Sequence, residues 1–166
     1  MGGVDNFIDA IGLITIGQKQ IKEGGYYQAG KIWLQEKGFS TWTVVHELAH
    51  SWDAANGWKL SGNMSSSLDA GFDNPFLHFL FPNNPNYWYD PGQGPPPCGV
   101  DANFNSKEDF AEAVTAFAYP AVAESEANRR NNGNWSYVNP SRGWNYSGYL
   151  DTPRGLYINA LIVSLP

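Results

Sequence analysis

The run Ser40-Thr41-Trp42-Thr43-Val44-Val45-His46-Glu47-Leu48-Ala49-His50-Ser51-Trp52-Asp53-Ala54-Ala55-Asn56-Gly57 reads as one amphipathic helix. At about 100° per residue, Val44, Val45, Leu48, Trp52 and Ala55 fall within about 100° of one another and form an apolar stripe. Ser40 or Thr41 suits the start as a side-chain cap, and Gly57 suits the end. On the other side His46 and His50 lie about 40° apart, one turn from each other. Two imidazoles so placed can hold one Zn2+ from a single helix, and Glu47 beside them can serve as general base toward a water. A His-x-x-x-His pair is often no more than a polar helix face. Here the chain has three histidines in all, and two of them sit in this run. The stripe has the correct phase, and Glu47 is a residue that a purely structural metal site does not need.

A catalytic zinc takes three protein ligands and keeps one position open. A third histidine six residues after the second is one known solution, but Asp53 and Asn56 stand at the positions that His-x-x-Gly-x-x-His would fill. The one other histidine is His78. A carboxylate from a second helix is the better candidate. Ser106-Lys107-Glu108-Asp109 reads as a helix start, with Ser106 as N-cap and Asp109 at the capping-box position. The helix runs to about Tyr119, before Pro120. Phe110, Ala113, Val114 and Phe117 make its core face, and Glu108, Glu112, Thr115 and Tyr119 the opposite one. One of Glu108 and Glu112 can bind zinc while the other hydrogen-bonds a ligand imidazole and fixes its tautomer. A pair of solvated glutamates is the commoner fate of such a spacing. The His46/His50 pair tips the reading toward ligands.

His46-Glu47-Leu48-Ala49-His50 followed by Glu108-Asp109-Phe110-Ala111-Glu112 resembles the gluzincin metallopeptidases. It is most similar to the anthrax-lethal-factor-like group, whose second motif has the form Glu-x-Phe-Ala-Glu. The resemblance implies a zincin-like domain with Glu108 as third zinc ligand and Glu112 holding a ligand imidazole. It implies Glu47 as general base and a peptide bond of a protein substrate as the target. It covers the two helices and, loosely, the strand before the first. Many gluzincins place a Tyr or His shortly before the third ligand to stabilise an oxyanion, and the ten residues before Glu108 contain neither. His78, Tyr87, Tyr89, Tyr146, Tyr149, Tyr157 and Arg154 are the candidates for that role, with a C-terminal tyrosine expected.

The chain as a whole fits one α+β domain over residues 1–166. A small sheet and the motif helix are expected in the N-terminal half, and helix with long loops in the C-terminal half. The cleft is expected between about 1–57 and 58–166. At 166 residues the chain can bury a sizeable core. Val4, Phe7, Ile8 and Ile11 predict a short helix, and Leu13-Ile14-Thr15-Ile16 a strand. Gly24-Gly25 predicts a turn. Lys31-Ile32-Trp33-Leu34-Gln35 predicts a second strand, either an ordinary core strand or a cleft rim that pairs with an extended peptide. From Lys59 to Ser106 the reading is irregular, with one buried element at Phe76–Phe81, and this stretch is expected to wall the cleft. Ala121–Arg130 and the segment opened by Thr152-Pro153-Arg154 predict two more helices.

Charge and composition narrow the partners. The net charge is −6 with no basic cluster, which argues against nucleic acid. No stretch of 18 apolar residues exists, so no membrane span is expected. Met1-Gly2-Gly3 opens without a basic region or apolar signal core. Few lysines with many Asn, Gly and aromatic residues suit a secreted or cell-surface domain, and a monomer is expected. Pro97-Cys98-Gly99-Val100-Asp101 is similar to the segment whose thiolate blocks zinc in matrix-metallopeptidase proforms, although a plain loop cysteine explains it as well. A competing function is a carbohydrate- or protein-binding module that uses Trp135, Tyr137, Trp144, Tyr146 and Tyr149 as an aromatic surface. Tryptophan and tyrosine are equally the material of a small core.

Overall fold

The structure, a computed structural model, describes residues 14–22, 24–36, 40–68, 105–130, 137–139 and 144–165. The predicted helix at 4–11, the element at 76–81, His78, Tyr87, Tyr89, Cys98 and Trp135 lie outside them. The architecture is α+β: a small three-stranded sheet with helices stacked on it. The strands are β1 (Thr15–Lys19), β2 (Gly25–Gln28) and β3 (Lys31–Gln35). The helices are α1 (Thr41–Ala55), α2 (Lys59–Leu68), α3 (Ser106–Ala118), α4 (Pro120–Arg130) and α5 (Pro153–Val163). Val138–Asn139 and Trp144–Asn145 pair as a short hairpin, and a 3-10 turn at Tyr149–Asp151 leads into α5. No helix among the described residues is long and apolar enough to cross a membrane.

The sheet order is β1-β3-β2, with β1 parallel and β2 antiparallel to β3. Ile32 and Leu34 of β3 are buried while their neighbours are half-buried, the period of two that a sheet with one covered face requires. β3 is therefore the central strand and cannot form a cleft rim, because both its edges are taken. The rim is β2, which the sequence reading missed. Its short length and paired tyrosines follow Gly24-Gly25, and the tight turn sits later, at Ala29 (φ 48°) and Gly30 (φ 80°). Left-handed backbone at both central residues is the geometry of a two-residue hairpin.

Ser40 caps α1, its hydroxyl accepting from Thr43 N at 3.2 Å. The C-terminus closes with Gly57 N donating to Ala54 O and Trp58 N to Asp53 O, Gly57 having a φ of 66°. Burial of α1 departs from the expected stripe. Val44, Val45 and Leu48 are half-buried and Ala55 is exposed, whereas Glu47, His50 and Asp53 are buried. The reason is that α1 is covered on both sides, by the sheet and by α3. α2 replaces part of the stretch read as irregular. Its serines and Gly62 hide its periodicity, yet Met64 is fully buried and Asp53 Oδ1 accepts from Leu60 N and Ser61 N at its start.

α3 is the central helix. Its N-cap is Asn105, not Ser106, with Asn105 Oδ1 accepting from Lys107 N at 2.9 Å and Glu108 N at 3.4 Å. Asp109 is withdrawn from capping because it is fully buried and paired with Arg154 of α5, Nε donating to Oδ1 at 3.0 Å and to Oδ2 at 3.2 Å. Glu112 and Thr115 are buried too, so the face of α3 opposite its expected core face is covered as well. Thr115 satisfies its hydroxyl on Ala111 O, one turn back. The main core joins Ala49 and Trp52 of α1, Met64 of α2, Phe110, Ala111, Ala113 and Val114 of α3, and Ile158 of α5. Trp52 and Phe110 meet at 5.7 Å between ring centroids. Thr152 caps α5, accepting from Gly155 N, with Pro153 in the first turn.

Replacing Arg154 by Met strands a buried carboxylate in the middle of this packing. The expected loss is about 3–5 kcal/mol in urea unfolding, most of it recovered when Asp109 is changed to Leu as well.

Candidate metal centre

Helix α1 carries His46, Glu47 and His50 on adjoining faces, and the first turn of α3 brings Glu108 to them from 62 residues away. His46 Nε2 lies 3.1 Å from Glu108 Oε2, His50 Nε2 lies 3.4 Å from the same oxygen, and the two Nε2 atoms are 3.0 Å apart. These three residues form a group that could hold a metal ion. A tetrahedral ion with bonds of about 2.0–2.1 Å has ligand atoms roughly 3.3 Å apart, so the triangle has the size the ion requires.

Glu112, one turn beyond Glu108, is also drawn in. Its Oε1 lies 2.9 Å from His46 Nδ1 and accepts from Trp42 Nε1 at 3.2 Å. Trp42 is packed at its other side on the second core, formed by Ala116, Ala123, Tyr137 and Tyr149. The orientation of His46 is thus tied through Glu112 and Trp42 to the body of the protein. Glu47 is buried, receives the Tyr27 backbone N–H, and has its Oε2 buried without a protein hydrogen-bond partner. A buried oxygen of this kind takes a water or a ligand as partner. The approach of β2 to Glu47 depends on glycine. A Cβ at Gly25 would come within 2.9 Å of Thr43 Cγ2 and 3.1 Å of Glu47 Cγ.

These groups open into a cleft of about 420 Å³, lined by Gly24–Tyr27, Trp42, Thr43, His46, Glu47, His50, Trp58, Lys107, Glu108 and Glu112. Burial lowers the His46 pKa, but its contacts with Glu108 and Glu112 outweigh that and push it up to about 10. Burial raises Glu108, yet the two imidazoles hold it well below the usual carboxylate range. Burial pushes the Glu47 carboxyl up against the pull of His46 and His50.

Among the described residues, the expected oxyanion groups Tyr146, Tyr149, Tyr157 and Arg154 do not line this cleft. The Tyr149 hydroxyl is buried and donates to Ala113 O at 3.3 Å; that of Tyr157 donates to Leu60 O at 3.0 Å. Tyr146 packs on the second core, and Arg154 is buried against Asp109. The hydroxyls of Tyr149 and Tyr157 and the Arg154 guanidinium are spent on tertiary structure. The same packing removes Tyr137 and Tyr149 from the aromatic surface proposed for a binding module, since both are buried. The cleft tyrosines are instead Tyr26 and Tyr27, and its tryptophans Trp42 and Trp58. The signal that could have found the first pair was Gly24-Gly25 directly before two aromatics, a close backbone approach rather than a turn.

No family model matches the chain, and no curated protein or solved structure is significantly similar to it.

Two outcomes follow from the electrostatics. In the metal-free protein the raised His46 pKa stabilises the fold fully below its ordinary value of 6.5, and that contribution is lost as pH rises through about 10. The Tm of chelator-treated protein is expected to fall over that range, and His46→Gln to flatten the slope. A metal must displace the same proton, so its apparent affinity should climb about tenfold per pH unit up to about 10. Trp42→Phe, which frees Glu112 from its donor, should weaken metal binding about 10-fold in a competition titration.

Proposed function

We propose that the chain is a zinc-dependent peptidase. The observation that carries this reading is the convergence of His46 Nε2, His50 Nε2 and Glu108 Oε2 beside a buried glutamate, Glu47, in an open cleft. Two imidazoles and one carboxylate are a donor set suited to catalytic zinc, which leaves a fourth position for water or substrate. A zinc ion held there would supply Lewis acidity and bring the pKa of a water to about 7. Glu47, its own pKa raised by burial, takes a proton from the water as the water oxygen bonds to the scissile carbonyl carbon. The C–N bond then breaks, and Glu47 returns the proton to the leaving amine. Glu112 and Trp42 keep His46 in orientation throughout.

A peptide is the substrate this cleft suits because a strand edge with open polar groups borders it. Gln35 N donates to Gly24 O, so Gly24, Tyr26 and Gln28 exchange bonds with β3; Gly25 turns its polar groups outward, and Tyr27 its carbonyl, while the Tyr27 N–H is taken by Glu47. Among the described residues no strand covers that edge. An extended peptide can add to it beside Glu47.

Elemental analysis should find one zinc per native chain and a large loss in Glu108→Ala. Glu47→Gln should keep the zinc and lose peptide cleavage by about 10²–10⁴-fold. Full turnover in the zinc-loaded Glu47→Gln protein would overturn the assignment.

A further inference from the structure

We infer that the cleft contains a subsite for an acidic substrate side chain, built by Lys107 on Trp58 and Tyr27, with Lys107 reading the charge. The inference takes its substrate class from the peptidase reading. Lys107 stands one residue before Glu108 in the first turn of α3 and lines the same cleft. It is the one lysine or arginine among the described lining residues. Its Nζ lies 3.9 Å from the centroid of the Trp58 ring, and no described carboxylate pairs with it. A cation in the first turn of a helix is disfavoured by the helix dipole. Lys107 therefore contributes nothing to α3 by its charge, and its place is set by the aromatic ring across the cleft.

That ring is itself held in an unusual way. Trp58 has a φ of 63°, a left-handed conformation that a bulky residue seldom adopts. Its backbone is fixed at both ends, N donating to Asp53 O at 2.8 Å and O accepting from Ser61 Oγ at 3.4 Å. The residue is 36% exposed, and its ring meets Tyr27 edge-on at 6.2 Å. The Tyr27 ring is in turn anchored, its hydroxyl accepting from Gly30 N. The result is an aromatic wall with an ammonium group resting on it. The π-face leaves the three ammonium donors available.

The other charges of the cleft decide the sign of the occupant. Glu108 and Glu112 already have partners in the two imidazoles and Trp42, and Glu47, buried beside the His46/His50 pair, receives the Tyr27 N–H on one oxygen. A substrate carboxylate at Lys107 gains charge-assisted hydrogen bonds, and a substrate cation meets repulsion there.

The test uses capped octapeptide pools, neutral except for one Glu or one Lys at a fixed position. Binding is measured by calorimetry to the zinc-loaded Glu47→Gln protein, and cleavage by the native protein. At one position the Glu pool should bind about tenfold more tightly than the Lys pool. The preference should vanish in Lys107→Ala, invert in Lys107→Glu and survive in Lys107→Arg, each on the Glu47→Gln background with zinc content and Tm confirming the fold. Equal affinities for the two pools at every position, or a preference that Lys107→Glu leaves unchanged, would overturn the inference while cleavage by the native protein stands. A Lys107-dependent preference for Glu without any cleavage would uphold the subsite and overturn the peptidase reading.

Discussion

The packing of α1 on α3 is the constraint on which everything else in this molecule rests. Neither helix holds a complete site. The triangle of His46, His50 and Glu108 that could hold a metal, with edges of 3.0 to 3.4 Å, exists only if two helices far apart in sequence meet at one distance and one rotation. That distance is set by small residues, Ala49 on one helix and Ala111 and Ala113 on the other, and the rotation by Trp52 against Phe110. Interhelical distance depends on the side chains at the contact. Close-packed interiors deform little, so a change there is transmitted to the ligands.

The same packing makes polar burial unavoidable. α1 is enclosed by the sheet and α3, and α3 by three further helices, so Glu47, His50, Asp109 and Glu112 lose water together. An uncompensated buried charge is costly, and most of these groups are answered by a partner, while one oxygen of Glu47 is left without one. Asp109 has Arg154, Glu112 has His46 and Trp42, and Glu108 has the two imidazoles. The network is held from opposite ends, by Arg154 on α5 and by Trp42 at the start of α1. α5 is thus remote from the cleft but supports the helix turn that carries Glu108.

The sequence made the helices with strong boundaries legible. Ser40 and Gly57 bracket α1, Pro120 follows the end of α3, and Thr152-Pro153 opens α5, each a local signal acting through the backbone. β3 was legible from its alternation, and the convergence of His46 and His50 from their spacing on α1. What stayed hidden was set by tertiary context. α2 lacks a strong apolar period because only Met64 and Ser61 among the residues whose burial is described are fully enclosed. The rank of β3 as central strand depends on β2, four residues long, which no pattern of that length announces. The burial of the α3 face opposite its core stripe was not visible either, because helices cover α3 from several directions. The C-terminal tyrosines offered no sign that their hydroxyls were committed to Ala113 O and Leu60 O.

Gly25 shows how a feature can be legible in type and misread in purpose. Glycine before two tyrosines looks like a turn, since glycine accepts conformations other residues avoid. In the structure Gly25 is a strand residue, and what it provides is space. Any side chain there would press on Thr43 and on the stem of Glu47, moving β2 away from α1. The Tyr27 N–H would then withdraw from the Glu47 carboxylate, and the strand edge from the cleft. The reach of the sheet into the site is therefore fixed by the absence of one methyl group. No periodicity or motif in a single sequence encodes an absence of this kind. It becomes readable only once the helix that the glycine faces has been placed.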